Sequence, residues 1–104
     1  MGCTILRPFC IHPGAERTYG LDWRDNLVDG DVIASVSWDV PAGLNKISEG
    51  PNGTAVTEDG ETYPPGTLAL VRLAYADAGT HACRCNIVTA QGDRDSREVT
   101  FVAK

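Results

Sequence analysis

The residue types best able to do chemistry meet in one stretch of this 104-residue chain, His81-Ala82-Cys83-Arg84-Cys85. A histidine two residues from a cysteine is the minimum of a thiol nucleophile with its base, and cysteines with histidines are the usual ligands of structural zinc. Cys3, Cys10 and His12 near the amino terminus widen the set, so a zinc site or a disulfide joining the two regions is conceivable on composition. The spacing argues for packing instead. Cys-x-Cys on a straight strand lacks the turn that lets two thiolates converge on a metal, and residues two apart on a strand are badly placed for the Cβ approach of a disulfide. Successive strand side chains point to opposite faces, which puts His81, Cys83, Cys85 and Ile87 on one face. That face is apolar, and a thiol buried among apolar groups stays protonated and inert. His81 and Cys83 are therefore read as core residues, and neither a catalytic residue nor a cofactor is expected.

The carboxylates are the second candidate. Asp22, Asp25, Asp29 and Asp31 gather around one loop, but no Asp-x-Asp-x-Asp-Gly run ending in Glu accompanies them, so a solvated turn is expected rather than a calcium site. Residues 93–98, Asp-Arg-Asp-Ser-Arg-Glu, alternate in sign and read as a solvated strand end. No glycine-rich phosphate loop, His-Glu-x-x-His or Gly-x-Ser-x-Gly is present.

The elements that would position these residues are short. Eleven glycines and six prolines leave little room for long helices, and 42% hydrophobic residues suffice for one small core. The net charge of −5 and a pI near 4.8 argue against a nucleic-acid or anionic-membrane surface, which needs a basic patch. No apolar run approaches the roughly 18 residues of a membrane span. The first eight residues lack the charged start and long apolar run of a signal peptide, and Leu6 stands where a myristoylation motif wants Ser or Thr. A reducing cytosol, where disulfides rarely persist, is the expected site of synthesis.

Residues 1–16 read as an extended arm, because Pro8 and Pro13 oppose helix while Ile5, Leu6, Phe9 and Ile11 supply apolar anchors. Those four are the candidate partner-binding residues. Residues 17–104 read as the domain. Tyr19, Leu21 and Trp23 alternate over residues 17–23. Val32, Ala34, Val36, Trp38 and Val40 alternate over the clearest strand. Trp38 and Val36 are assigned to the core, and Trp23 with them. Weaker strands are expected at 44–48 and 54–58, with Asp59-Gly60 as a hairpin tip. A strand at 67–73 looks covered on both faces. The strands at 81–89 and 97–102 are joined by a turn at 90–93. About seven short strands, with turn signals every 8–12 residues, are the signature of an all-β antiparallel sandwich.

Two resemblances refine this. Residues 77–83, Asp-Ala-Gly-Thr-His-Ala-Cys, resemble the Asp-x-Gly-x-Tyr-x-Cys corner of immunoglobulin domains, with His81 in the tyrosine's place. This implies an immunoglobulin-like sandwich, without the usual partner cysteine on an earlier strand. Leu21-Asp22-Trp23 and residues 27–44, which include Gly30-Asp31-Val32-Ile33-Ala34-Ser35 and Trp38-Asp39-Val40-Pro41-Ala42-Gly43-Leu44, are similar to small bacteriophage virion proteins of the fiber-tail adaptor type. Thr89-Ala90-Gln91-Gly92-Asp93-Arg94 fits their late hairpin.

That similarity implies a non-enzymatic virion structural protein, associated with tail or neck and linking tail or fiber components. Its partners would be other virion proteins of tail, neck, fiber or capsid, with several copies in the particle, assembled in the host cytoplasm. No nucleic acid or membrane is expected as partner. A capsid decoration protein of the same sandwich class is the alternative. An immunoglobulin-like adhesion module is a third, which would need an export signal and a disulfide.

Overall fold

The computed structural model describes residues 9–104. Nine strands follow in chain order: β1 (Cys10–Ile11), β2 (Glu16–Asp22), β3 (Ile33–Asp39), β4 (Leu44–Pro51), β5 (Val56–Glu58), β6 (Glu61–Tyr63), β7 (Leu68–Tyr75), β8 (Gly79–Thr89) and β9 (Arg94–Ala103). One sheet has the order β1-β9-β8-β3 and a second has β2-β7-β4, while β5 and β6 form a separate hairpin. The pairs are antiparallel except β1 with β9, which runs parallel. The chain is therefore all-β, and a single buried cluster drawn from both larger sheets makes it a sandwich.

Alternation explains most of the core. Tyr19 and Leu21 of β2, with Trp23 just after it, turn inward from the edge of the second sheet, at 0%, 8% and 0% exposure. Cys83, Cys85 and Ile87 turn inward from β8, opposite the exposed Ala82 and Arg84. Phe101 of β9 is the aromatic hub. Its ring centroid lies 5.0 Å from that of Tyr19 and 6.3 Å from that of Trp38, both edge-on, and 5.2 Å from that of Phe9.

β3 departs from its alternation at one point. Ile33 pairs with Thr89 and Ser35 with Val88, so Ala34 is an extra residue in the ladder. Such a bulge reverses the faces on one side of it. Trp38 is buried and Val36, assigned to the core, is half-buried and packs against it, but Val32 and Ala34 are exposed and Ile33 takes the inward place. A second bulge in β4, at Ile47 between Lys46 and Ser48, extends that strand to Pro51.

The assignment of His81 to the core is corrected. It is only half-buried, at the start of β8. Its imidazole carries two polar nitrogens and needs a partner, which the strand end supplies: Nε2 donates to the Asp77 carbonyl at 3.0 Å. The ring lies flat over Gly43, where an added methyl group would collide with it. The Asp77 N–H in turn donates to the Gly43 carbonyl at 3.0 Å. His81 thus ties the turn after β3 to the corner before β8.

Cys10 and Ile11 already belong to a sheet, and Glu16 opens β2. Between β4 and β7 one side chain organises the chain. Asn52 is 3% exposed. Its Oδ1 accepts from the N–H groups of Thr67 and Leu68, and its Nδ2 donates to the carbonyls of Thr54 and Pro64, all within 2.9–3.1 Å. The β5–β6 hairpin is launched from this node. Its tip is the expected Asp59-Gly60, with φ of 51° and 80°, the positive pair a two-residue hairpin loop requires.

Trp38→Ala and Phe101→Ala should each cost about 3–5 kcal/mol, the range for truncating a buried aromatic, read as a shift in the urea midpoint. A loss below about 1 kcal/mol would mean the site collapses without a cavity. Gly43→Ala should cost about 1–3 kcal/mol through overpacking. In the Gly43→Ala/His81→Ala double variant the two losses should sum to less than additive, because removing the ring removes the collision.

Candidate partner-docking surface

Cys83 and Cys85 are free thiols at 1% and 0% exposure. Burial pushes Cys83 up to about 11 and Cys85 up to about 12, the Trp23 indole and Arg97 drawing Cys85 only slightly back. Cys10 is disulfide-bonded. With both strand thiols free, no bridge joins the amino-terminal region to β8. Among the described residues no three His, Cys, Asp or Glu side chains converge as a metal site requires.

The acidic loop is more ordered than its composition suggests. Asp25 and Asp29 are exposed, but Asp31 is 7% exposed, which corrects the expectation of a solvated group. Its Oδ1 accepts from the N–H groups of Val32 at 2.9 Å and Gln91 at 3.2 Å, clamping this loop to the β8–β9 turn. Burial alone would raise its carboxyl. The neighbouring Thr89 hydroxyl and the N–H groups of Val32 and Gln91 outweigh that and hold it below its ordinary value.

A candidate docking recess lies beside Phe9, where the described residues begin. A recess of about 400 Å³ opens between Phe9, the Gly20–Leu21 backbone of β2, Arg24, Tyr63 and Arg97. Arg24 sits in a 3-10 turn (Arg24–Asn26) after β2. Its guanidinium stacks 4.2 Å from the centre of the Tyr63 ring, forks onto both Asp22 carboxylate oxygens and reaches Glu61. The hydrogen bonds it donates to Asp22 and then to Glu61 raise its pKa further, so it is a permanent cation. Arg97 lies 4.8 Å from the centre of the Trp23 ring and donates to Asn26 Oδ1 at 2.9 Å. These two stacked arginines fasten the hairpin and the 3-10 turn to the sandwich and leave Glu58, Asp59 and Glu61 on the recess rim.

The anchor residues expected to reach a partner divide. Ile5 and Leu6 lie outside the described residues. Phe9 is half-buried against Phe101, where it also lines the recess. Ile11 is 0% exposed in the domain's own core. Its side chain is spent on the fold, because β1 must present an inward residue to close the first sheet. The residues that sequence reading missed are Arg24, Tyr63 and Arg97. Their only signal was a cation or an aromatic near a strand end, which is too common to single out.

Iodoacetamide at mildly alkaline pH should label neither Cys83 nor Cys85 in the folded protein and both in urea, by mass spectrometry. The sign for stability follows from the raised values. Folding keeps both protons, so this contribution is intact below the unfolded thiol value of 9.0 and is lost as pH rises through about 11 and 12. A Cys83→Ala/Cys85→Ala variant should show a flatter alkaline decline in melting temperature.

No curated protein matches the chain. A family model described as podophage GP4 fiber-tail adaptor protein gp77 matches residues 12–102, which takes in all of the domain from β2 through Val102 of β9. The match spans the Trp38 strand, the His81 corner and the β5–β6 hairpin alike. This chain belongs to the podophage fiber-tail adaptor family, a family of phage structural proteins.

Proposed function

We propose that this protein is a non-enzymatic structural joint of a podophage tail, sitting at the tail or neck and linking it to fiber components. The observation that carries the reading is the family match over residues 12–102. The geometry supports it. The strand thiols are sealed in the core, and the outward features are a fastened acidic hairpin and an aromatic-lined recess at the start of the domain.

The sandwich is read as immunoglobulin-like. In support, β2, β7 and β4 form one sheet and β3, β8 and β9 the other, with β1 added parallel to the last strand. Trp38 fills the core from the third strand, and His81 makes the side-chain-to-backbone corner bond that a tyrosine makes in that family. The domain begins at Phe9, and the segment ahead of it supplies the docking arm. Ile5, Leu6 and the exposed side of Phe9 are its anchors, laid across a neighbouring virion protein as an extended segment. Several copies act together in the particle, since symmetric assemblies reuse one interface. Assembly takes place in the host cytoplasm, and neither nucleic acid nor membrane is a partner of so acidic a surface.

The test is an Ile5→Asp/Leu6→Asp variant expressed during infection in place of the wild type. Its melting temperature should stay within a few degrees of the wild-type value, while fiber-bearing particles and infectivity fall. Particles that assemble normally with the variant would remove the arm from the interface. An unfolded variant would place both residues in the protein's own core.

A further inference from the structure

The outer edge of β3 is occupied by side chains of the neighbouring strand. Strand β3 is the last in its sheet, and the end strand of a sheet offers its backbone groups as a template for another strand. The Trp38 N–H donates to Glu49 Oε1 at 2.6 Å, and Lys46 Nζ donates to the Trp38 carbonyl at 2.9 Å. Lys46 and Glu49 also pair with one another at 3.1 Å. Both backbone groups of Trp38 are thereby taken. At the other end of the strand the Ile33 N–H is taken by the Gly66 carbonyl at 2.8 Å.

This arrangement depends on the β4 bulge. Residues three apart on a regular strand point to opposite faces. The extra residue Ile47, between Lys46 and Ser48, reverses that parity and brings Lys46 and Glu49 to the same side, over β3. Ile47 itself is left 53% exposed.

We propose that the Lys46–Glu49 pair is an edge guard, which keeps the β3 edge from pairing with the β3 edge of a second copy of this chain. The occupant follows from the strand itself. Trp38 turns its backbone groups outward, and in an antiparallel ladder Val36, two residues earlier, does the same. Two copies running antiparallel across Val36 place Ser35 opposite Ser37 and Ile33 opposite Asp39, so no like charges meet. The strand is short, β-branched at its centre and self-complementary, and a protein held at high local density in a particle is exposed to that pairing. The device is independent of which virion partner the adaptor binds.

The experiment compares the wild-type protein with a Lys46→Ala/Glu49→Ala variant across a concentration series, by sedimentation velocity and by amide hydrogen exchange. The variant should move toward twice the wild-type mass as concentration rises. Its Trp38 amide should exchange faster than wild type when dilute and slow again when concentrated, together with that of Val36. A variant that keeps the wild-type mass at every concentration overturns the proposal, as does association that leaves Val36 and Trp38 unprotected. Should the double variant fail to fold, Lys46→Ala alone keeps the Glu49 bond and frees only the Trp38 carbonyl. It is read by the same two outcomes, with a smaller mass shift expected.

Discussion

The packing of Phe101 between the two sheets is the contact on which the rest of this molecule depends. Its ring meets Tyr19 from the opposite sheet, Trp38 from its own sheet and Phe9 from the chain's beginning. Edge-on aromatic pairs contribute about 0.5–1.5 kcal/mol each beyond the area they bury, and here two of them, with Tyr19 and Trp38, share one ring, which Phe9 meets at a tilt. This fixes the spacing of the sheets and the point at which the amino-terminal segment enters the domain. The hub lies on β9, the last strand, so the fold closes only when the end of the chain returns beside its start. The parallel pairing of Cys10 with Val102 records that return.

A sandwich of this size has two open sides, and each is closed by a side chain that reaches a backbone group. On the β1–β2 side the Tyr19 hydroxyl donates to the Cys10 carbonyl at 2.5 Å, and burial raises the phenol well above its ordinary value, so it stays a donor. On the β3–β4 side Glu49 and Lys46 take both groups of Trp38. The same two aromatic residues that flank Phe101 are thus the ones whose polar atoms or backbone seal the sides. Core and edges are one construction.

This division of labour suits a virion joint. The strand thiols are buried and held protonated, and both backbone groups of Trp38 on the β3 edge are taken. Among the outward features of the described residues are the fastened β5–β6 hairpin with its acidic tip and the recess beside Phe9. Arg24 and Arg97 hold that surface rigid by stacking on Tyr63 and Trp23. A structural adaptor gains from surfaces fixed to the core in this way.

Alternation and turn chemistry determined a good deal by themselves. The all-β class, the inward run of Cys83, Cys85 and Ile87, the burial of Tyr19, Leu21, Trp23 and Trp38, and the Asp59-Gly60 tip all follow from a period of two and from the few residues that accept positive φ. Other features were decided only by tertiary structure, each for a stated physical reason. The bulges at Ala34 and Ile47 are set by the register of β8 and β7, so the faces of Val32, Ile33, Lys46 and Glu49 cannot be counted along one strand. Asn52 and Asp31 read as loop residues until distant N–H groups arrive to satisfy them. Ile11 reads as an anchor for a partner until β9 returns to bury it. A sequence carries the period of each strand, whereas the residue that interrupts a period, or that pairs across the chain, is chosen by what lies opposite it in space.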